Sequence, residues 1–192
     1  LAKSIAHFFV VQNITEESKE VIYAYGMELL ISDVLNTIIV LLIALFSHTL
    51  PAVVVFIAVF MGLRQFVGGF HANSHLSCMF TLVMVMMVFS YGICNVSGHI
   101  TPIFSISFIM IALPIILCIA PVPHPNKPMS EEKSVKLRKR SCILAVTLSV
   151  VTIALLVFQY QKLSLYVSSG MLLSAIMALL GHFLNRGDNS KR

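Results

Sequence analysis

The stretch RQFVGGFHANSHLSC, residues 64–78, decides how the rest of this sequence is interpreted. It contains an arginine, two adjacent glycines, two histidines and a cysteine, and it lies between two runs that are too apolar to face water. Polar and ionisable groups are costly within apolar spans, and those that occur there are usually functional. The pattern therefore indicates a candidate active site at the boundary of a membrane.

The composition excludes a water-soluble globular protein. Hydrophobic residues make up 58% of the 192 residues, charged residues make up 11%, and the mean hydropathy is +0.93. Soluble domains carry about 25% charged residues, and a chain of this size cannot enclose so much apolar surface. The net charge of +5 is therefore interpreted as a signal of membrane topology, and no nucleic-acid partner is expected.

The hydrophobic runs predict an all-α fold class: a polytopic membrane protein with six transmembrane helices in a single integral domain, residues 1–192. A span needs about 20 predominantly apolar residues to cross the hydrocarbon core of the lipid bilayer. An amphipathic helix on the membrane surface is expected within residues 1–20, and a cytoplasmic loop is expected at 121–141. The predicted spans are 27–46, 51–66, 79–96, 103–120, 142–158 and 165–184.

The orientation follows from the basic residues, which concentrate in the cytoplasmic segments of membrane proteins. With six spans, both termini, residues 64–78 and the loop 121–141 lie on one side of the bilayer. That side holds twelve of the 13 Lys and Arg residues, and the opposite turns hold only Lys162. Both termini and the candidate site are therefore predicted to face the cytoplasm.

The first predicted span carries a heavy polar load, which includes Glu28, Asp33 and Asn36. A carboxylate at the centre of a bilayer costs at least about 2.5–3.5 kcal/mol, so these groups are expected to face the interior of the helix bundle. For Glu28, which lies near the end of the span, an interfacial position in contact with water is the simpler alternative.

Cys78 is the candidate nucleophile, because a thiolate beside a histidine is reactive at neutral pH. On an uninterrupted helix, His75 and Cys78 are neighbours, with Cβ atoms about 5–6 Å apart. On the same helix, His71 is separated from Cys78 by about 10 Å along the axis. It therefore reaches Cys78 only if the backbone folds back between them. Spacing alone slightly favours His75 as the base, and the flexible pair Gly68-Gly69 leaves His71 open.

The stretch has the pattern R-x3-G-G-x-H-A-x5-C, which is carried by Arg64, Gly68, Gly69, His71, Ala72 and Cys78. This pattern resembles the signature of the AgrB family of membrane proteases, which process quorum-sensing peptides. The sequence YGME at 25–28 and the sequence PNKP at 125–128, which precedes a basic helix, are similar to the same family. The resemblance extends over roughly residues 5–185.

The resemblance implies a cysteine endopeptidase of the cell membrane of a Gram-positive bacterium, acting on an AgrD-like propeptide without a cofactor or a metal ion. It makes Cys78 the nucleophile and His71 the general base, against the spacing argument. The thioester formed at Cys78 is then attacked by a cysteine or serine of the peptide, which closes a thiolactone or lactone ring. Whether the protein works as a homodimer stays open. Supporting or substrate-binding roles fall to Glu28, Arg64, Gly68, Gly69 and His75.

Two alternatives stay open beside this reading. His71, His75 and Cys78 have the spacing H-x3-H-x2-C and could ligate zinc from one helix, which would make the protein a metal-dependent membrane protease. The acidic residues of the first span, together with Arg64, could instead line the path of a non-enzymatic peptide exporter.

Overall fold

The computed structural model describes residues 2–12, 20–68, 84–85, 88–122 and 131–189, and every element named within these ranges is helical. The prediction of an all-α fold is confirmed. The helices are α1 (Ala2–Val11), α2 (Glu20–Phe46), α3 (Leu50–Val67), a π-helix (Val88–Ile93), α4 (Thr101–Ile119), α5 (Glu131–Val157) and α6 (Gln161–Asn189).

Helix α6 packs against α3, α4 and α5. Near the starts of α4 and α6, the hydroxyls of Ser105 and Ser164 are hydrogen-bonded at 3.1 Å. Further along, the Ser174 hydroxyl donates to the Phe60 carbonyl oxygen of α3 at 3.4 Å. Helices α3, α4 and α6 thus run in one direction, and α5 runs against them. The apolar core shared by the four helices includes Leu63, Val67, Ala112, Ile116, Ala145, Met171, Ala175 and Ala178.

A glycine sets the spacing between α3 and α6. A Cβ atom added to Gly170 of α6 would lie 2.9 Å from the Phe56 carbonyl oxygen and 3.1 Å from the Val59 Cβ of α3. The first distance is shorter than real Cβ contacts, so even an alanine at this position requires the helices to shift. Small residues of this kind let the backbones of membrane helices approach each other closely.

The π-helix is anchored to the bundle by Phe89, which is 1% exposed. Its ring centroid lies 4.2 Å from that of Phe56 on α3 and 5.9 Å from that of Tyr166 on α6. Val40 and Ala44 of α2 belong to the same buried cluster. Aromatic pairs at these separations stabilise a core beyond their buried area, so this cluster connects α2 and the π-helix to the four-helix bundle.

The N-terminal helix packs on α2. The Phe9 and Tyr23 rings meet edge to face with centroids 6.4 Å apart, and Nδ1 of His7 lies 3.3 Å from a carboxylate oxygen of Glu20. A helix therefore forms where the amphipathic pattern predicts one, and its position on the membrane surface stays a prediction.

In the part of the chain that the structure describes, four helical stretches are long and apolar enough to cross a membrane: Leu50–Val67, Thr101–Ile119, Ser134–Val157 and Gln161–Phe183. They correspond to the second, fourth, fifth and sixth predicted spans. Many side chains on their outward faces are exposed and apolar, such as Met110 at 70% and Val150 at 60%, which suits contact with lipid. The chain is a multi-pass membrane protein, and the exact number of spans stays a prediction.

The other two predicted spans are described in part. Helix α2 includes the whole of 27–46 and begins earlier, at Glu20; its apolar part with described side chains is Val34–Phe46. Within 79–96, Met84 and Val85 are helical and Val88–Ile93 is π-helical, where a regular α-helix is predicted.

The structure also differs from the prediction at the start of the fifth span. Helix α5 begins at Glu131 and continues without interruption to Val157, so the basic residues of 133–140 belong to the same helix as the span. No glycine or proline occurs in this range, and Lys, Arg, Leu and Glu are good helix formers. The basic helix predicted within the loop 121–141 therefore forms, but it is continuous with the fifth span instead of separate from it.

Candidate active site

The candidate site begins where α3 ends. The last helical residue is Val67, and Gly68 follows with φ 73° and ψ −151° while its N–H donates to the Arg64 carbonyl oxygen at 3.0 Å. A positive φ is readily adopted only by glycine. The first glycine of the Gly-Gly pair therefore stops the helix and turns the chain into the stretch that contains His71 and Cys78.

The segment after α4 is joined to this turn through the main chain. The Val122 N–H donates to the Val67 carbonyl oxygen at 2.9 Å, and Gly68 and Val122 form an isolated parallel β-bridge. A Cβ atom added to Gly68 would lie 2.6 Å from the Val122 carbonyl oxygen. We call this arrangement of Val67, Gly68 and Val122 the main-chain clamp. Glycine is required at position 68 both by the positive φ and by the close approach to the Val122 carbonyl oxygen.

The Val122 side of the main-chain clamp rests on the bundle core. Ala120 and Val122 are 3% and 5% exposed, and they belong to the apolar cluster that contains Val67 of α3 and Ile116 of α4. Ala120 has an extended backbone, and its N–H donates to the Ile116 carbonyl oxygen at 3.0 Å. The clamp thus holds Gly68, at the end of α3, and Val122, after the end of α4, side by side at one end of the described bundle.

Arg64 lies one helical turn before the main-chain clamp, in the last turn of α3. Its guanidinium carbon lies 5.5 Å from the centroid of the Phe60 ring, within the range of a cation–π interaction. A cation in the last turn is also favoured by the helix dipole. Both interactions hold this positive charge at the end of the helix from which the candidate catalytic stretch begins.

Glu28 lies at about the same distance along the bundle as Gly68. Helices α2 and α3 form a hairpin joined by the turn 47–49, and they pack against each other. Glu28 precedes the end of α2 by 18 residues, and Gly68 follows the start of α3 by 18 residues, so each lies about 27 Å from the turn along its helix. The Glu28 side chain lies outside the described part of the structure, and its partner stays a prediction.

Among the polar residues of the first predicted span, the structure describes the side chains of Asn36 and Thr37. Asn36 is 5% exposed, so it faces the interior, as the cost of polar groups in lipid predicts. Among the residues that the structure describes, its amide nitrogen has no hydrogen-bond acceptor. An unsatisfied buried donor is costly.

The remaining site residues lie outside the described ranges. These are Gly69, His71, His75 and Cys78. The choice between His71 and His75 as the base, and the reversal of the backbone that His71 requires, therefore stay predictions. No group of three or more His, Cys, Asp or Glu side chains that could hold a metal occurs in the described ranges, while the set proposed for zinc falls outside them.

A cavity of about 440 Å³ opens between α3, the π-helix and α6, away from the main-chain clamp. It is lined almost wholly by apolar side chains, among them Phe56, Val88, Leu172 and Ile176. Phe56 precedes Gly68 by 12 residues, or about 18 Å of helix. The cavity therefore lies on an apolar face of the bundle, where Val88 and Ile176 are exposed, and not at the end of α3 at which Arg64 and Gly68 lie.

Sequence reasoning missed Val122. The segment from Pro121 to Pro128 is predicted as an extended loop, and the described part of it, through Val122, is extended, but its docking on Gly68 was not foreseen. The available signal was the apolar pair Ala120 and Val122 on either side of a proline. Apolar side chains that alternate along an extended segment indicate that one face is buried.

Comparison with known proteins agrees with these observations. The family profile of accessory gene regulator B (AgrB) matches residues 2–178. A curated protein from Clostridium beijerinckii, named an AgrB-like protein, is 24% identical over 141 residues, which cover 71% of this chain and 69% of the relative. No solved structure matches the chain significantly.

Proposed function

The chain belongs to the AgrB family of quorum-sensing accessory gene regulator proteins, and from this premise we propose that it is a membrane cysteine endopeptidase. Its substrate is an AgrD-like propeptide, whose C-terminal segment it removes. The product is an autoinducing peptide closed into a thiolactone or lactone ring. Cys78 is the nucleophile and His71 is the general base.

One observation carries the proposal: the pattern R-x3-G-G-x-H-A-x5-C lies inside the range that the family profile matches. A thiol and an imidazole seven residues apart, just after a helix that ends in a glycine turn, are the two groups that nucleophilic catalysis needs. The geometry at Gly68 supports it, because the chain leaves the bundle at that point under tight main-chain control.

In the first step, the imidazole of His71 takes the proton of the Cys78 thiol, and the thiolate attacks the carbonyl carbon of the scissile peptide bond. The C–N bond breaks as His71 returns the proton to the leaving amine. The C-terminal segment departs, and the remaining peptide is held as a thioester on Cys78. No external oxidant or cofactor enters this step.

In the second step, a cysteine or serine within the bound peptide attacks the thioester, His71 takes up its proton, and the Cys78 thiol is restored. Exchange of one thioester for another is nearly isoenergetic, so ring closure competes with hydrolysis only if water is excluded. A site at the end of an apolar bundle supplies such an environment.

Arg64 provides a positive charge near this chemistry. It binds either an acidic group of the propeptide or the oxyanion that forms on the attacked carbonyl, as arginine commonly does. Glu28 either orients His71 or pairs with Arg64. Its level in the α2–α3 hairpin is compatible with both roles.

The site faces the cytoplasm of a Gram-positive cell in this proposal. Arg64 and the basic residues of 133–140 lie at the same end of the bundle as the main-chain clamp, whereas Lys162 lies at the start of α6. This distribution follows the rule that basic residues stay on the cytoplasmic side, where a ribosomally made propeptide is available.

The direct test is to incubate the purified protein in lipid nanodiscs with an AgrD-like propeptide and to search for the acyl-enzyme by mass spectrometry. We expect a thioester adduct on the peptide that contains Cys78. Cys78→Ala should abolish both the adduct and cleavage, while Cys118→Ala, an exposed thiol on α4, should leave both unchanged. Cleavage that persists in Cys78→Ala would refute the mechanism.

The identity of the base is tested separately by His71→Ala and His75→Ala. We expect the first variant to lose at least about 100-fold in cleavage rate, the usual contribution of a general base, and the second to keep most of it. A dead His75→Ala beside an active His71→Ala would exchange the roles of the two histidines.

A further inference from the structure

We propose that the main-chain clamp positions the catalytic stretch, so that the segment 120–122 is a positioning element of the active site. The inference rests on the proposed function, because it concerns the placement of His71 and Cys78. It adds to that function a structural element that begins 42 residues after Cys78 in the sequence.

The first part of the argument is that the Val122 side of the main-chain clamp cannot move freely. Ala120 and Val122 are almost completely buried in the core that α3, α4, α5 and α6 share. The Ala120 N–H extends the hydrogen bonding of α4 by one residue. Segment 120–122 is thus a continuation of the packed bundle, although it is not helical.

The second part concerns the freedom of the chain after α3. Two adjacent glycines, left alone, have more conformational freedom than any other pair of residues. The hydrogen bond from Val122 to Val67 and the contact of Gly68 with the Val122 carbonyl remove that freedom at the first glycine. The direction in which the chain leaves α3 is therefore set by the segment after α4.

The third part links this direction to the chemistry. His71 follows Gly68 by three residues, and three residues of chain extend at most about 11 Å. The conformation at Gly68 therefore limits where the His71 imidazole can lie. A displacement of about 1 Å between reacting groups is enough to lower a catalytic rate by about 100-fold, so loss of the clamp should be visible in the chemistry of Cys78.

Two substitutions of Val122 separate the effect of its side-chain packing from the effect of its main-chain hydrogen bond. Val122→Ala shortens the buried side chain but keeps the N–H that donates to Val67. Val122→Pro keeps an apolar side chain of similar size but has no N–H to donate. A positioning role predicts that the two variants differ at the active site, whereas a role in packing alone predicts that the alanine variant is affected as well.

Two glycines give a second matched pair. Gly68→Ala brings a Cβ within 2.6 Å of the Val122 carbonyl oxygen, and Gly170→Ala brings one within 2.9 Å of the Phe56 carbonyl oxygen. Both variants force main-chain atoms apart, but only the first does so at the main-chain clamp. Gly68→Ala is strained in addition by the backbone itself, because φ 73° with ψ −151° lies in a region that is essentially restricted to glycine.

The experiment measures the rate at which iodoacetamide alkylates Cys78 in nanodiscs as a function of pH, read on the Cys78 peptide by mass spectrometry. In the native protein, the partner His71 should give a thiol with a low pKa. In Val122→Pro and Gly68→Ala the midpoint should rise, and at pH values well below the native midpoint each unit of rise should slow alkylation by about tenfold. In Val122→Ala and Gly170→Ala the profile should stay within about twofold of the native one.

Gel filtration and thermal unfolding in detergent establish that each variant is folded, and Val122→Pro carries the test if Gly68→Ala is not. An unchanged alkylation profile in folded clamp variants, with the acyl-enzyme still formed, would overturn the positioning role and leave the proposed function standing. The same holds for a shift that appears equally in Val122→Ala. A native Cys78 that forms no acyl-enzyme and alkylates as a free thiol would overturn the proposed function and the positioning role together.

Discussion

Helix α3 makes two close main-chain approaches through glycine, and they differ in kind. At its middle, the Phe56 carbonyl oxygen faces Gly170 of α6, a glycine within a regular helix. At its end, Gly68 itself has φ 73° and faces the carbonyl oxygen of Val122, which lies outside any helix. The first contact requires a small side chain, and the second requires in addition a conformation that other residues rarely adopt.

One helix thus contributes to the stability of the bundle at one contact and determines the direction of the following chain at another. The contact at Gly170 joins two long apolar helices, so its loss should weaken the whole bundle. The contact at Gly68 joins two chain segments as they leave the bundle, so its loss should change where the following residues go. Perturbations of the two contacts should therefore have different readouts.

The largest expected effect is that of Gly68→Ala on cleavage of the propeptide. We expect the rate of the folded variant to fall by about 100-fold, because the catalytic groups are misplaced, and the backbone strain at position 68 should lower the unfolding temperature in detergent as well. Cleavage is measured by mass spectrometry of the released C-terminal segment. A native rate in the folded variant would show that the turn at Gly68 is not needed for the chemistry.

The next effect is that of Gly170→Leu on stability. Inserting a large side chain between α3 and α6 should lower the free energy of unfolding by about 1–3 kcal/mol or more, measured by unfolding in mixed micelles. Gly62→Ala is the control, because a Cβ at Gly62 has no neighbour within 4 Å; alanine there should be neutral or stabilise the helix by up to about 1 kcal/mol. Equal losses in both variants would contradict the contact as the cause.

A smaller effect is expected at the hydrogen bond between α4 and α6. Ser105→Ala removes the hydroxyl that meets Ser164 at 3.1 Å and should cost about 0.6 kcal/mol, the average for hydrogen bonds between membrane helices. Ser149→Ala is the matched control, since its hydroxyl donates only within α5, to the Ala145 carbonyl oxygen. Neither variant should change the alkylation of Cys78.

The smallest effect is expected at the exposed pair of Lys136 and Glu132 on α5, whose charged atoms lie 2.6 Å apart. Lys136→Ala should change the free energy of unfolding by no more than about 0.5 kcal/mol, and cleavage should stay at its native rate. A large loss of cleavage with unchanged stability would instead make this lysine part of propeptide binding.

Much of the fold could be predicted because the hydropathy of a segment depends only on the residues of that segment. The runs that became α3, α4 and α6 were located within a few residues. The basic run 133–140 was predicted as a short helix separate from the fifth span, whereas the two form one continuous helix, α5, as the helix-forming residues between them allow. The π-helix at Val88–Ile93 depends on how Phe89 packs between α3 and α6, and no local pattern expresses that.

Only those features of the candidate site that depend on residues close together in the sequence could be predicted. Arg64 at the end of a span and a chain turn at Gly68 follow from the types of residue present. The docking of Val122 joins positions 54 residues apart, and it depends on the relative positions of α3 and α4. Only the packed bundle determines those positions. The roles of His71 and Cys78 stay predictions for the same reason, since they depend on a fold of the chain between them.

Helix α5 is longer than a membrane is thick. Its 27 residues extend about 40 Å, whereas the hydrocarbon core of a bilayer is about 30 Å thick. Roughly two turns at its N-terminal end therefore project into the headgroup layer, as a rigid extension of the span. The lysines and arginines of 133–140 are held at that depth, where each contributes about 1 kcal/mol of attraction to anionic lipid. The surface electrostatic potential around this end of the bundle thus depends on lipid composition, and vesicles rich in phosphatidylglycerol are the natural setting for every assay above.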